Sequence, residues 1–272
     1  MRNTLDLSHT AFIAVDLSRT FTDKKLAEEG LRKTGITQEL YVPGGEEATI
    51  KTKEIIDYVK HTRAILINIM EQHPLGHISL ASSYVGKEIF SAITLEDIDT
   101  GKVTAKDIAA HARFTFEELK HHLQTTSKRN SQTLWPDHSI IHTPGVELMQ
   151  PLRDMDFDIT LIKGMDPKTD AYSGFDGTGL DHYLKENRIQ NVVIAGGVAL
   201  DYCPGDTAID AANLGYKVRY IKDGSRGIAA DTSEAMVKEF ARKGIRYISF
   251  EDFKDIIELP KRDYMIPGSY VY

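Results

Sequence analysis

The chain has 272 residues, 41% of them hydrophobic, so it is long enough to bury a sizeable core within one domain. Its 33 basic and 40 acidic residues give a formal net charge of -7, which argues against a nucleic acid partner and suits a small neutral ligand. Its single cysteine, Cys203, excludes an intramolecular disulfide and fits a reducing compartment.

The beginning of the chain lacks the apolar core of a signal peptide, and no later stretch approaches the apolar run of a membrane span. We therefore expect a soluble, cytoplasmic protein that contacts neither a membrane nor a nucleic acid. A lone thiol in such a compartment needs an explanation other than disulfide formation.

Short runs of apolar and β-branched residues alternate along the chain with helical patterns. Such alternation predicts an α/β fold of three layers, in which helices cover both faces of a mostly parallel sheet. The predicted strands cover residues 11–15, 64–69, 159–162, 192–195, 217–221 and 246–250. The predicted helices cover residues 46–62, 179–187, 204–214 and 232–243. Open sheets of this kind bind ligands at the carboxyl ends of their strands, so chemistry is expected there.

Two segments do not fit this alternation. Residues from about 80 to 134 form a polar stretch too long for a simple connection, which predicts an insertion with a helix at 116–125. Residues from about 251 to 272 form a C-terminal extension whose last part, 264–272, is too aromatic for a typical disordered tail. We expect one domain over residues 1–272 that carries both additions, and the extension could pack on its own domain or on another subunit of a homo-oligomer.

Three reactive side chains follow predicted strands. Asp16 taken alone could be a cap, Lys163 a solvated strand end, and Cys203 a buried spacer. However, Pro204 suits the first position of a helix, and the N-terminus of a helix favours the thiolate form of Cys203. Together the three residues supply an acid/base, a charge stabiliser and a nucleophile at one edge of the sheet.

A second group combines a carboxylate with imidazoles. Glu71, His73 and His77 follow the second predicted strand, and His138 closes the insertion. One carboxylate with two imidazoles suits zinc, iron or manganese, although His77 could equally be a polar turn residue. The remaining histidines of the insertion region are expected at the surface or behind the ligands, with the 121–122 pair on a solvated helix face.

Eight segments resemble, in the correct order, the nicotinamidases of the isochorismatase-like hydrolase superfamily. They are VDLSRTF at 15–21, YVPGG at 41–45, HPLGHIS at 73–79, WPDH at 135–138, TPG at 143–145, KG at 163–164, YSGF at 172–175 and VALDYC at 198–203. The resemblance spans about residues 10 to 225 and leaves out much of the insertion and the extension. The Asp, Lys and Cys positions are shared by the whole superfamily, whereas WPDH and His73 resemble nicotinamidases in particular.

The resemblance implies the isochorismatase-like hydrolase fold and the hydrolysis of nicotinamide to nicotinic acid and ammonia, a step of NAD salvage. It implies that Asp16 takes the thiol proton, that Lys163 holds both charges, and that Cys203 attacks the carboxamide carbon to give a thioester. The backbone N–H groups of Ala199 and Cys203 would bind the oxyanion. The family has a cis peptide before the first of these donors, here between Val198 and Ala199.

The resemblance also implies a divalent metal cofactor that binds the pyridine nitrogen of the substrate. Its ligands would be Glu71, His73 and His138, with zinc expected ahead of iron or manganese, while Phe21 and Trp135 would pack on the ring. Such a pocket should also accept pyrazinamide, since the ring change is nearly isosteric.

The chain departs from the family pattern at three places. The family usually has Asp where Glu71 stands, and the extra methylene could alter metal affinity or leave His77 to complete the ligand set. Ser18 and Arg19 replace the usual Gln and Asn after the catalytic Asp, and Pro204 follows the nucleophile where a branched or basic residue is more usual. None of these changes removes a catalytic group.

Two alternatives remain open. Another amide hydrolase of the superfamily, acting on an N-carbamoyl or ureido compound, would explain the catalytic residues but leave the metal ligands without a role. A non-catalytic scaffold of the same fold would recruit a partner through the insertion and the tail. Metal content and turnover separate these alternatives.

Overall fold

The computed structural model of the protein describes residues 5–34, 39–125, 127 and 130–257. The strands are β1 (Thr10–Val15), β2 (Ile65–Glu71), β3 (Ala92–Thr94), β4 (Ser131–Thr133), β5 (Ile159–Lys163), β6 (Asn191–Val198), β7 (Lys217–Ile221), β8 (Ser225–Arg226) and β9 (Arg246–Ile248). The helices are α1 (Arg19–Thr22), α2 (Lys24–Thr34), α3 (Gly45–Val59), α4 (Leu95–Asp99), α5 (Phe116–Thr125), α6 (Leu180–Glu186), α7 (Cys203–Asn213), α8 (Ala230–Arg242) and α9 (Phe250–Lys254).

A parallel sheet forms the middle layer, in the order β5-β2-β1-β6-β7-β9, and β8 pairs with β6. Every residue of the central strands β1 and β6 is buried. Strands covered on both faces need continuous apolar runs, which is why these segments do not alternate between apolar and polar residues. The predicted α/β fold with a mostly parallel sheet is confirmed.

Successive residues of β1 point to opposite faces of the sheet and enter two different cores. Phe12 packs in the core that contains residues of α3 and α9, and Ile13 packs in the core that contains residues of α6, α7 and α8. Helix α3 lies very close to β6, since a Cβ atom added to Gly196 would fall 1.8 Å from Thr52 Oγ1. The close contact leaves room only for glycine at this position.

Residues between β2 and β5 form a third, smaller core beside the main sheet. It includes Ile78, Ile93, Leu119 and Leu134 and is built around α4, α5 and the antiparallel pair of β3 and β4. Helix α5 has the predicted bounds, but the expectation of a solvated face is wrong for His122, which is only 3% exposed. The neighbouring His121 is exposed as expected.

The predicted end of the last strand, at residue 250, is also wrong. Strand β9 stops at Ile248, because Ser249 caps a new helix and its hydroxyl accepts a hydrogen bond from the N–H of Asp252. Helices α1 and α2 were not predicted. The aromatic segment 264–272 lies outside the described residues. Within the ranges that the structure describes, no helix is long and apolar enough to span a membrane.

Candidate active site

Four neighbouring strands bring the predicted reactive residues to one edge of the sheet. Lys163 and Glu71 are the last residues of β5 and β2 and lie opposite each other in the register. Asp16 follows β1 with a φ of 55°, a left-handed conformation that aspartate tolerates better than most residues, and its N–H donates to Ile69 O at 2.9 Å. Cys203 follows β6 and begins α7.

The Lys163 ammonium lies at the centre of this group. Its Nζ is 2.6 Å from Glu71 Oε1, 3.1 Å from Asp16 Oδ2 and 3.4 Å from Cys203 Sγ, and it donates to Ala171 O at 3.0 Å. All of these side chains are buried. One positive charge therefore faces two carboxylates and the thiol in a site sheltered from water.

Burial decides how these groups hold their protons. It raises the pKa of the Cys203 thiol well above its usual value, so the resting group is a thiol and not the exposed thiolate suggested by the helix N-terminus. Burial also raises the pKa of Asp16 to about 6, although Lys163 opposes the shift. Burial would lower the pKa of Lys163, but Asp16, Cys203 and Glu71 hold it well above its usual value.

The consequence for chemistry is a division of roles. Lys163 stays cationic, and Asp16 changes its protonation state near neutral pH, where a general base is most effective. A carboxylate oxygen of Asp16, one of Glu71 and Cys203 Sγ all lie within 4.8 Å of one another. Asp16 can therefore take the proton of the thiol, while Lys163 offsets the charge that results.

A second cluster joins Glu71 to two histidines. Glu71 Oε2 is 2.9 Å from His138 Nε2 and 3.4 Å from His73 Nε2. The other ring nitrogens face backbone carbonyls, with His73 Nδ1 at 2.9 Å from Gly164 O and His138 Nδ1 at 2.8 Å from Pro136 O. With the ring proton on Nδ1, facing a carbonyl, both Nε2 atoms can act as metal ligands beside Glu71 Oε2.

These donors fit a divalent transition metal. One ligand atom from each of Glu71, His73 and His138 lies within 4.8 Å of the others, and all three residues are buried. Burial would raise the pKa of Glu71, but Lys163 and His73 hold it well below its usual value, so the ligand is an anion. Asp16, Glu71 and Cys203 also lie close enough together to hold a metal. They do not suit one, because the Lys163 ammonium already contacts all three.

The sequence left open that His77 completes the ligand set, but its ring nitrogens face other partners. Its Nε2–H donates to Thr169 O at 3.1 Å, and its Nδ1 accepts the N–H of Ser79 at 3.2 Å. Its ring stacks on His73 with centroids 4.1 Å apart, and burial lowers its pKa well below the usual value. The neutral His77 ring therefore packs against the His73 ring, while both of its own nitrogens bond to other groups.

One pocket connects both clusters, because Cys203 and the three residues Glu71, His73 and His138 all line it. The predicted ring-packing residues Phe21 and Trp135 both line it. Sequence reasoning missed several other lining residues, among them Leu40, Val42, Asp170, Tyr172, Tyr202 and Ile228. Three of these carry a signal in the sequence, because Val42, Tyr172 and Tyr202 lie in the segments 41–45, 172–175 and 198–203 that resemble nicotinamidases. The Tyr202 ring packs edge-on against Trp135 with centroids 5.1 Å apart.

The predicted oxyanion donors lie at the same pocket. The peptide bond between Val198 and Ala199 is cis, as the resemblance implied. Cys203 is the first residue of α7, and the first N–H groups of a helix have no acceptor within the helix. Both Ala199 and Cys203 line the pocket.

Comparisons with known proteins agree with this geometry. The Isochorismatase domain family matches residues 103–252. The nicotinamidase of Escherichia coli K12 is 27% identical over 225 residues, which cover 79% of this chain and 89% of that protein. The nicotinamidase of Saccharomyces cerevisiae is 27% identical over 201 residues, covering 71% and 82% of the two chains.

Solved structures show the same fold. A pyrazinamidase of Pyrococcus horikoshii in complex with zinc is 26% identical, covers 89% of this chain and 99% of its own, and superposes with a TM-score of 0.61. The yeast nicotinamidase structure is 24% identical, covers 88% and 99% of the two chains, and gives a TM-score of 0.66.

Proposed function

Since the chain belongs to the isochorismatase domain family, we propose that it hydrolyses nicotinamide to nicotinic acid and ammonia. The observation that carries the proposal is one pocket lined both by the Cys203 thiol, beside which its proton acceptor Asp16 lies, and by a carboxylate–histidine cluster. Relatives named nicotinamidase along most of the chain's length support the substrate. The product would feed the cytoplasmic synthesis of pyridine nucleotides.

The first half of the reaction forms a covalent intermediate. Asp16 takes the proton from Cys203, and the sulfur attacks the carboxamide carbon of the substrate. The carbonyl oxygen becomes an oxyanion, which the N–H groups of Ala199 and Cys203 stabilise. Asp16 then gives its proton to the leaving nitrogen, the C–N bond breaks, and ammonia and a thioester are formed.

The second half releases the acid. Asp16 takes a proton from water, the resulting hydroxide attacks the thioester carbon, and the C–S bond breaks. The proton returns to the sulfur and regenerates the thiol, so each turnover consumes one water. Lys163 remains protonated throughout and keeps the negative charge of Asp16 and Cys203 stable in a buried site.

The histidine cluster would orient the substrate. We infer that Glu71, His73 and His138 hold a divalent ion, and we expect zinc rather than iron or manganese. The ion would supply a Lewis acid for the pyridine nitrogen. Two nitrogens and one oxygen are a typical ligand set of catalytic zinc, and the Pyrococcus horikoshii relative is a zinc complex. Phe21 and Trp135 would clamp the ring between this cluster and Cys203.

The test is ammonia release from nicotinamide and from pyrazinamide by the purified protein, before and after metal removal. We expect both amides to be hydrolysed, activity to fall on metal removal, and zinc to restore it. Cys203→Ala should lose all measurable turnover, and Cys203→Ser should lose nearly all of it while still binding nicotinamide.

Inactivity of the metal-replete protein would contradict the proposal. Turnover of an N-carbamoyl compound instead of nicotinamide would identify the protein as the alternative amide hydrolase. A protein inactive on both classes of substrate would favour the non-catalytic scaffold.

A further inference from the structure

A second cavity opens at the amino edge of the sheet, away from Cys203. It is formed where β6, β7 and β9 begin, and we call it the basic cleft. Four cationic side chains line it, Lys217, Arg219, Lys243 and Arg246. This concentration of positive charge runs against the net charge of -7 of the whole chain.

The register of the sheet forces these charges together. Lys217 and Arg219 are two residues apart on β7 and so point to the same face. Arg219 lies opposite Arg246 of β9, and Lys217 lies opposite Asn191 of β6. Like charges opposite each other on neighbouring strands destabilise a sheet, so this pairing costs stability unless an anion offsets it.

The protein itself supplies no such anion among its described residues. Within the ranges given above, no carboxylate forms an ion pair with Lys217, Arg219 or Arg246. Asp6 reaches the cleft, but its carboxylate accepts hydrogen bonds from Ser8 and faces His9 Nδ1 at 2.8 Å. Lys243 donates to Asn213 Oδ1 at 2.8 Å, whereas no described carboxylate neutralises Lys217, Arg219 or Arg246.

Arg219 is the strongest indication of a ligand. The residue is only 8% exposed, and burial together with Arg246 lowers the pKa of its guanidinium. Its Nη1 makes one long hydrogen bond of 3.4 Å to Asn191 Oδ1, and its buried Nε has no hydrogen-bond partner among the described atoms. A buried guanidinium normally uses its planar fork of donors, and a donor left unpaired costs free energy.

We propose that the basic cleft is a binding site for a small phosphate-bearing anion. The guanidinium of Arg219 would hold the phosphate from the floor of the cleft, and Lys217 and Arg246 would neutralise it from the rim. The paired donors of arginine match the geometry of phosphate oxygens, and several cations together favour an anion with more than one negative charge. Binding would relieve the repulsion between Arg219 and Arg246. The site is independent of the hydrolytic one.

The test is calorimetric titration of the full chain with pyrophosphate at constant ionic strength. We expect saturable binding with one site per chain, and binding about tenfold or more weaker in Arg246→Gln, which loses a charge-assisted contact. Arg219→Met should bind more weakly still. Lys238→Gln is the matched control, because it removes an exposed cation of α8 that does not line the cleft. Cys203→Ala should bind as the wild type does.

Three outcomes would overturn the proposal. They are the absence of saturable binding in the wild type, equal affinities in wild type and Arg246→Gln, and an affinity for citrate that matches that for pyrophosphate. If Arg219→Met fails to fold, Arg246→Gln decides the matter, because Arg246 is exposed and its loss leaves the core intact.

Discussion

Lys163 is the residue on which the charge balance of the site depends. Its ammonium contacts both carboxylates and the thiol, and it is the strongest influence that lowers the pKa of Asp16 against the effect of burial. Without it, two buried carboxylates would face each other with no cation between them. Asp16 would then hold its proton to higher pH and act as a base only in more alkaline solution.

The first prediction concerns the pH dependence of turnover. In wild type with saturating metal, kcat/KM should fall as the pH decreases through about 6, because Asp16 must be ionised to take the thiol proton. Lys163→Gln should move this fall to higher pH and lower kcat by about 100-fold or more. Lys163→Arg keeps the charge and should leave the fall near its wild-type position. An acid limb that does not move in Lys163→Gln would show that another group controls it.

The residues with reactive side chains could be found from the sequence because each follows an abrupt end of an apolar run. The strand ends at Asp16 and Lys163 are visible in this way, and Cys203 is the only cysteine of the chain. Apart from Phe21 and Trp135, several residues that shape the pocket could not be found. Leu40 and Ile228 lie in loops without a periodic pattern, and only the folded chain brings them to the site.

At the scale of elements, the segment between β2 and β5 is tied to the site by a chain of buried and half-buried polar groups. His122 of α5 lies 2.9 Å from Gln132 Oε1 through its Nε2 and 3.2 Å from Thr169 Oγ1 through its Nδ1. The side-chain amide of Gln132 donates to Asp170 Oδ2 at 2.9 Å, and Asp170 lines the pocket. The next residue, Ala171, accepts the hydrogen bond of Lys163. Helix α5 and strand β4 therefore fix the loop that follows β5.

The second prediction compares two adjacent histidines of α5. His122→Ala should destabilise the protein by about 1–3 kcal/mol, because it leaves the buried Gln132 side chain without this hydrogen bond, and should lower kcat/KM by about tenfold through the displaced loop. His121→Ala, one residue earlier on the exposed face, should change neither quantity. Chemical denaturation and ammonia release measure the two effects. Equal behaviour of the two variants would show that the polar chain does not support the site.

The sequence predicted α5 but not the antiparallel pair of β3 and β4. Strands of three residues are too short to show the alternation that identifies a strand, and the burial of His122 depends on groups from three different segments. We propose that residues from about 80 to 134 form an insertion of the hydrolase domain. A core of their own, which includes Ile93, Leu119 and Leu134, supports that proposal.

At the scale of the whole molecule, the packing of α3 on β6 connects stability to catalysis. Gly196 lies within β6, and a Cβ atom there would meet Thr52 Oγ1 at 1.8 Å and Gly224 O at 2.5 Å. Strand β6 leads directly to Ala199 and Cys203, so a displaced strand would also displace the proposed oxyanion donors and the proposed nucleophile. Small side chains at this contact therefore serve both the fold and the site.

The third prediction is that Gly196→Ala destabilises the protein by about 2–3 kcal/mol, the cost of overpacking a tight core, and lowers kcat at the same time. Gly101→Ala is the control, because a Cβ there meets no atom within 4 Å and only its φ of +74° is unfavourable. That control should lose about 1 kcal/mol and keep full activity. Unchanged stability of Gly196→Ala would contradict the close contact between α3 and β6.

The layers of the fold could be predicted from the alternation of strands and helices, but the order of the strands could not. Apolar runs such as Thr10–Val15 and Asn191–Val198 show that a strand is buried and do not show which strands lie beside it. In the structure, β1 lies between β2 and β6, although more than a hundred residues of sequence separate it from β6. Such pairing depends on packing between distant segments, which a local pattern does not record.

The two oxygens of Glu71 serve different neighbours, Oε1 facing Lys163 and Oε2 facing His138. Such sharing has a thermodynamic counterpart, since coupling between two binding events is reciprocal. A reversible inhibitor that adds to the Cys203 sulfur changes the electrostatic interaction between Lys163 and the Glu71 carboxylate. The dissociation constant of a divalent ion and that of the inhibitor must then change by the same factor. With the divalent ion proposed above in place, chelators and reversible inhibitors of the thiol would act on one linked equilibrium, and the potency of either would depend on the dose of the other.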